Sequence, residues 1–342
     1  MLDAIRLGPE DDATAVTAAQ LREVVQRLVR AGQWRSSVHR IGPAPAAGPS
    51  CQSTRLCPVL TSTHRRGVWP ARAGRYIHRS SVDRHNPVGC RRPFVDTAGM
   101  FSDAEAAALY DVMSPWDPAR SPEVGFCTEL VMTAGAVLDV GCGTGSMLHY
   151  ARDLGHTGRL VGLDPDQGML DRAKRRTDIE WVSGVAADAA WDREFDLATM
   201  TSNAFQCLVT DDELRASLTA IRTSLREGGR FAFGTRHPQA RAWESWNPSN
   251  AFDIEDATGH KLRMWHEVDS VVGDVVTFTE TTAERDDTVL RVDRTNLRFL
   301  DVPALAKFLT EAGFAIENQY GDWHRGPITE TSREIITIAR RI

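Results

Sequence analysis

The residue types and spacings that could do chemistry concentrate in one run, Ala136-Val-Leu-Asp-Val-Gly-Cys-Gly-Thr-Gly145. An apolar strand breaks there into a turn with glycine at every second position, and the turn opens a helix. Backbone N–H groups in such a turn can approach a ligand more closely than any side chain would permit. A second piece follows about 20 residues later, where Val161-Gly-Leu-Asp-Pro165 ends an apolar strand on Asp164. Ligands of open α/β sheets bind beyond the carboxyl ends of the strands, and a carboxylate at that point can accept both hydroxyls of a ribose. A dinucleotide fingerprint is excluded, because it requires glycine or alanine where Ser146 stands. It also leaves Asp139, two residues before the first glycine, without a role. A third polar run, Thr201-Ser-Asn-Ala-Phe-Gln206, lies where another strand should end and so faces the same site.

These pieces need a sheet to hold them in line. From residue 136 short apolar strands alternate with helical segments, the pattern of a doubly wound α/β fold. Strands are expected at 136–140, 159–164, 179–183, 195–200 and 230–234, with helices at 145–154, 167–176 and 211–227. Alternation at 261–268, 275–282 and 289–299, with a Gly273-Asp274 turn, predicts antiparallel strands inserted after the fifth parallel strand. This insertion, 237–299, is expected to form a small lid. A helix at 302–312 and strands at 315–320 and 334–339 complete the domain. The fold class is therefore a mostly parallel, seven-stranded Rossmann-like sheet with an antiparallel β insertion. Folded structure is expected to begin at residue 100, where Ser102 precedes Asp103 and Glu105 as an N-cap before an acidic first turn.

Leu138-Asp-Val-Gly-Cys-Gly-Thr-Gly145 and Val161-Gly-Leu-Asp-Pro165 resemble the first two motifs of class I S-adenosylmethionine-dependent methyltransferases, and the resemblance extends over 100–342. It implies S-adenosylmethionine as cofactor. Asp139 and the backbone at Gly141 and Gly143 would lie near its methionine moiety, and Asp164 would bind its ribose. Met169 matches a residue that packs on the adenine face, with core packing as the other reading of Met169 and Leu170. Where the family often has Gly-Asp-Ala, this chain has Gly184-Val185-Ala186. Asp188 either takes over the contact to the adenine amino group or is an exposed loop residue, and Ala186 can still offer its backbone. Tyr110 resembles an N-terminal-helix tyrosine laid over the cofactor, or is a packing tyrosine. Thr201 faces the site from the third run. The Asn/Asp-Pro-Pro-aromatic signature of methyltransferases acting on amines of nucleic-acid bases is absent, so a small-molecule acceptor is implied. For a hydroxyl acceptor His237 is the best-placed base, against a structural role, and for a carboxylate Arg236 is the orienting residue. Trp243, Trp246, Trp265, His266 and Trp323 either enclose the acceptor or pack the core.

Charge supports the small-molecule reading. Residues 1–99 carry 15 arginines, no lysine and seven acids, whereas the whole chain stands at −6, so the remainder is strongly acidic and would repel a phosphate backbone. The alternatives are a nucleic-acid methyltransferase anchored by the basic arm and a non-catalytic S-adenosylmethionine-binding protein. A short helix is expected within 17–31, and 34–95 loses all periodicity, so the N-terminal extension 1–99 is expected to be largely disordered. The abrupt change at Met100 suggests that it is the biological start. Cys51, Cys57, His64 and Cys90 match no closed metal-site spacing, and the six cysteines read as reduced thiols. No apolar run approaches membrane-spanning length and no secretory signal is evident, so a cytoplasmic location is expected.

Overall fold

The computed structural model describes residues 101–342 together with the backbone of Arg92 and Pro93. All of these belong to one unit, Arg79–Ile342. The expectations for the helix within 17–31, for the rest of the 1–99 extension and for Cys51, Cys57, His64 and Cys90 lie outside the described residues.

Strand β1 (Arg92–Pro93) pairs antiparallel with a later strand of the insertion. Strand pairing is thus present at residues 92–93, inside the stretch 34–95 that was expected to lack order. Helix α1 (Asp103–Met113) starts where the sequence placed it: Ser102 and Glu105 form a reciprocal capping box. Helix α2 (Pro122–Thr133), with proline in its first turn, was not foreseen. It buries Val124, Phe126, Cys127 and Val131, which do not form a clean polar–apolar alternation.

The central region then alternates strand and helix: β2 (Ala136–Val140), α3 (Ser146–Asp153), β3 (Arg159–Asp164), α4 (Gln167–Ala173), β4 (Glu180–Ser183), β5 (Phe195–Met200), α5 (Asp211–Ser224) and β6 (Leu225–Arg236). Helices α4 and α5 end about three residues earlier than expected. Strand β6 begins at Leu225 rather than 230, because Leu225 already pairs with Phe195 of β5. The insertion contributes β7 (Phe252–Glu255), β8 (Lys261–Val272), β9 (Val275–Glu284) and β10 (Val289–Arg298). Helix α6 (Val302–Glu311) and strands β11 (Phe314–Tyr320) and β12 (Glu334–Arg341) close the chain.

Two sheets result. The seven-stranded sheet has the order β11-β12-β6-β5-β2-β3-β4, with β12 antiparallel to β6 and β11 antiparallel to β12. Its continuous apolar strands are buried on both faces, as a parallel sheet requires. One face packs Leu214, Leu218 and Ile221 of α5 and Leu305 and Leu309 of α6; the other packs Phe126 and Val131 of α2 and Leu148 of α3. The second sheet is antiparallel and five-stranded, β1-β10-β9-β8-β7, so β1 and β7 are additions to the three inserted strands expected. Leu109 of α1 packs against its Leu262, Met264 and Leu290, and Arg291 reaches Asp103 at the start of α1 at 2.7 Å. Among the described residues no helix is long and apolar enough to cross a membrane.

Candidate active site

The glycine turn after β2 and the end of β3 lock together through backbone and carboxylate. Gly141 N–H donates to the Leu163 carbonyl at 2.7 Å, and Gly143 N–H donates to Asp164 Oδ2 at 2.7 Å. The other oxygen, Oδ1, accepts from Asp166 N–H at 2.8 Å. One carboxylate thus fixes the turn to the start of α4, whose N-cap is Asp166. Two glycines are obligatory for concrete reasons. Gly145 has φ +75° and sits against the Trp181 ring, leaving no room for a side chain, and Gly141 has φ +73° with Ala204 Cβ 2.9 Å from where its own Cβ would be.

Below this turn Asp139 is fully buried and accepts the Thr199 hydroxyl at 2.8 Å. Burial pushes its pKa up to about 7 against the lowering effect of that hydrogen bond, and the charge of Asp164 adds to the rise. The polar run after β5 is held in an unusual backbone. Ser202 and Asn203 both adopt left-handed φ, 53° and 63°, rare for residues other than glycine. Glu123 of α2 secures this turn by accepting Ser202 N–H at 2.8 Å, and burial raises the pKa of that carboxyl. Gln206, fully buried, donates to the Arg298 carbonyl of β10 and accepts from Arg236 of β6, each at 3.0 Å. One amide therefore joins the two sheets.

These elements surround a cavity of about 530 Å³. The structure brings Tyr110, Gly141, Gly143 and Asp164 to its wall, together with Met169, Ala186 and Thr201. Met169 is buried but lines the cavity, while Leu170 is wholly in the core. Asp188 is not on the wall: it is exposed, and its Oδ2 accepts Val185 N–H at 3.2 Å within its own short turn. His237 is not on the wall either. It is buried, its Nδ1 accepts from Gln239 N–H at 3.1 Å, and burial lowers its pKa, so the structural reading describes it. It precedes Pro238, which lines a separate cavity of about 330 Å³ with Trp243 and Phe299. Three of the tryptophans pack on aromatic neighbours: Trp243 lies edge-on to Phe299, Trp246 lies against Phe278 and Trp323 lies edge-on to Phe126.

Sequence reading placed Arg236 and the 237–299 insertion near the acceptor but missed the strand residues of the opposite wall. Phe278 and Glu280 of β9 and Thr295 and Leu297 of β10 complete the cavity, and Arg236 joins them from β6. The signal was a charged residue interrupting an alternating apolar face, Val276, Phe278, Glu280. The alternation shows that these residues share a face but not what that face looks onto. Cys207, also on this wall, is disulfide-bonded, which corrects the expectation of six reduced thiols, whereas Cys127 and Cys142 are free. Pairing follows spatial proximity, which spacing along the chain does not report.

Comparison with known proteins agrees with this architecture. Residues 137–229 match the family described as a methyltransferase domain. The chain is similar to the cypemycin N-terminal methyltransferase of Streptomyces sp, 30% identical over 131 residues, which is 37% of this chain and 53% of that protein. It is also similar to the dTDP-3-amino-3,4,6-trideoxy-alpha-D-glucopyranose N,N-dimethyltransferase of Streptomyces venezuelae, 30% identical over 128 residues, 37% of this chain and 47% of that one. The match spans about half the length of these curated relatives. The same fold occurs in an S-adenosylmethionine-dependent methyltransferase from Clostridium acetobutylicum, with TM-score 0.56, 19% identity and coverage of 69% of this chain and 98% of that chain. It occurs as well in an S-adenosylmethionine-bound amino pentose methyltransferase from Micromonospora echinaspora, with TM-score 0.52, 20% identity and coverage of 71% and 98%.

Proposed function

We propose that this chain, which carries a methyltransferase domain on the class I fold, transfers a methyl group from S-adenosylmethionine to a small-molecule acceptor. The observation that carries the reading is a single cavity that has the glycine turn and Asp164 on one wall and the antiparallel sheet on the other. The residues fit the cofactor. Asp164 is positioned by two backbone donors at the end of β3 to receive a ribose, Met169 and Ala186 offer an apolar surface for adenine, and Tyr110 lies over the turn. Asp139, buried beneath Gly141, is the acid closest in sequence to the methionine end of the turn. Among the described residues, Asp164, Asp166, Glu213 and Glu280 line the cavity together with the guanidinium of Arg236, a balance that suits cationic ligands and disfavours nucleic acid.

S-adenosylmethionine supplies an electrophilic methyl group on a sulfonium, and the positive charge at sulfur disappears as the methyl leaves. The protein's part is then to align the acceptor with that methyl and to exclude water. The strained Ser202–Asn203 turn and the inner face of β9 and β10 are the surfaces placed for this. We further propose that the 237–299 insertion covers the acceptor and that the enzyme works in the cytoplasm.

Calorimetric titration of S-adenosylmethionine and S-adenosylhomocysteine into the full chain tests the reading. Saturable one-to-one binding of both is expected. A folded protein that binds neither refutes it.

A further inference from the structure

Of the acids on the cavity wall, three are committed to local backbone. Asp164 holds the glycine turn, Asp166 caps α4 and Glu213 closes the capping box of α5. Glu280 differs. It rises from the middle of β9, with Phe278 and Thr282 on either side of it on the same face, and one of its partners is a side chain of the adjacent strand β8: His266 Nε2 lies 3.0 Å from Glu280 Oε2. The strand register sets this pair, because His266 of β8 is directly opposite Glu280, and Asp293 of β10 is opposite it on the other side. Asp293 is paired with Arg291 at 2.7 Å. Among the described residues the row thus places Glu280, His266, Asp293 and Arg291 side by side next to Phe278.

We infer that Glu280, positioned by His266, is the acceptor-binding carboxylate of this site and selects an aliphatic amine as the methyl acceptor. The inference rests on the cofactor reading above and names the substrate class for the same cavity. A largely buried carboxylate attracts an ammonium and offers a neutral hydroxyl only one hydrogen bond. The aromatic face of Phe278 adds to the preference for a cation. Reaction requires the nitrogen lone pair. Glu280 accepts one proton from the bound ammonium, while His266 donates to its Oε2 and holds the carboxyl in place. The freed lone pair forms the new N–C bond as the S–C bond of the donor breaks; the bonding electrons of that bond stay on sulfur, and the product leaves as a methylated ammonium with S-adenosylhomocysteine.

The experiment uses the full chain, S-adenosylmethionine bearing a trideuterated methyl group, and an equimolar mixture of amines each paired with its hydroxyl counterpart: glucosamine with glucose, glycine with glycolate, and the tripeptide of alanine with its lactyl analogue. Mass spectrometry reads the label, and calorimetry on the same samples reads cofactor affinity. The expected result is label on amines only. Glu280→Gln should lower kcat/KM for the labelled amine roughly thirtyfold while the S-adenosylmethionine Kd stays within about twofold, the loss expected of one charge-assisted contact. His266→Ala should raise KM more than it lowers kcat, and His266→Asn, which can still donate to Glu280, should restore most of the loss. Label on hydroxyl partners, no labelled amine with cofactor bound, or full transfer by Glu280→Gln each overturns the inference. Absence of cofactor binding by the wild type instead removes the reading on which it rests, and the inference with it.

Discussion

The two walls of the cavity are built by different means. On the seven-stranded side, the carboxylates that hold the loops serve the backbone, Asp164 accepting from Gly143 and Asp166 and Glu123 from Ser202, with the buried Asp139–Thr199 pair beneath them as the exception. On the antiparallel sheet, polar side chains serve one another, His266 pairing with Glu280 across β8 and β9 and Arg291 pairing with Asp293 along β10. A carboxylate tied to backbone amides preorganises a loop, and changing it alters the loop. A carboxylate paired across strands can be exchanged while the ladder beneath it stays intact. The first wall is therefore suited to a constant ligand and the second to one that varies between related enzymes. Gln206 spans both, since it contacts Arg236 on one side and the Arg298 carbonyl on the other.

The sharpest break of this contrast is Asp164→Ala. It removes the proposed ribose contact and frees two loop donors at once, so S-adenosylmethionine affinity should fall on the order of a hundredfold by calorimetry, with a stability loss of about 1–3 kcal/mol in urea unfolding. An affinity change as small as that of Glu280→Gln would erase the distinction between the walls. Next in size is a pH effect at Asp139. Its folded pKa of about 7 lies above that of an unfolded aspartate, so the folded state holds a proton that the unfolded state has lost. The stability it contributes is complete below about pH 4 and is lost as pH rises through about 7, a fall of a few kcal/mol by linkage. Asp139→Asn should flatten that slope in urea titrations between pH 4.5 and 8. Cofactor affinity should rise over the same interval, about tenfold, as the carboxylate ionises to face a cation.

A smaller effect is expected at the junction. Gln206→Ala leaves the Arg298 carbonyl and the Arg236 guanidinium each short of a partner, and should cost about 1–2 kcal/mol of stability. If the walls act separately, cofactor affinity should change less than acceptor KM. The smallest effect is the control: Arg263→Ala removes the exposed ion pair with Asp253 on the outer edge of the antiparallel sheet and should leave cofactor binding and the unfolding midpoint unmoved.

Legibility differed between the walls for the same reason. Glycine at 141, 143 and 145 and the aspartate at 164 act through local backbone geometry, and local geometry is written in adjacent residues. Hence the strands at 136–140, 159–164 and 195–200 and the Ser102 cap were readable, as was the antiparallel character of the insertion. His237 misled because a strand-end position does not say which way the chain turns after the strand, and here it turns into a cap beside Pro238. Asp188 misled because a carboxylate near an expected contact can bond to its own turn instead.

By itself, then, the sequence determined the parallel sheet, the glycine turn and the acid that meets it, because short continuous apolar runs, positive-φ turns and capping are short-range constraints. Only the tertiary structure decided which residues face that turn across the cavity. Glu280 follows Gly145 by more than a hundred residues, and its place opposite the turn depends on the register of β8, β9 and β10 and on how that sheet docks through Gln206. No local pattern encodes that docking, because it is the sum of packing contacts between elements far apart in the chain.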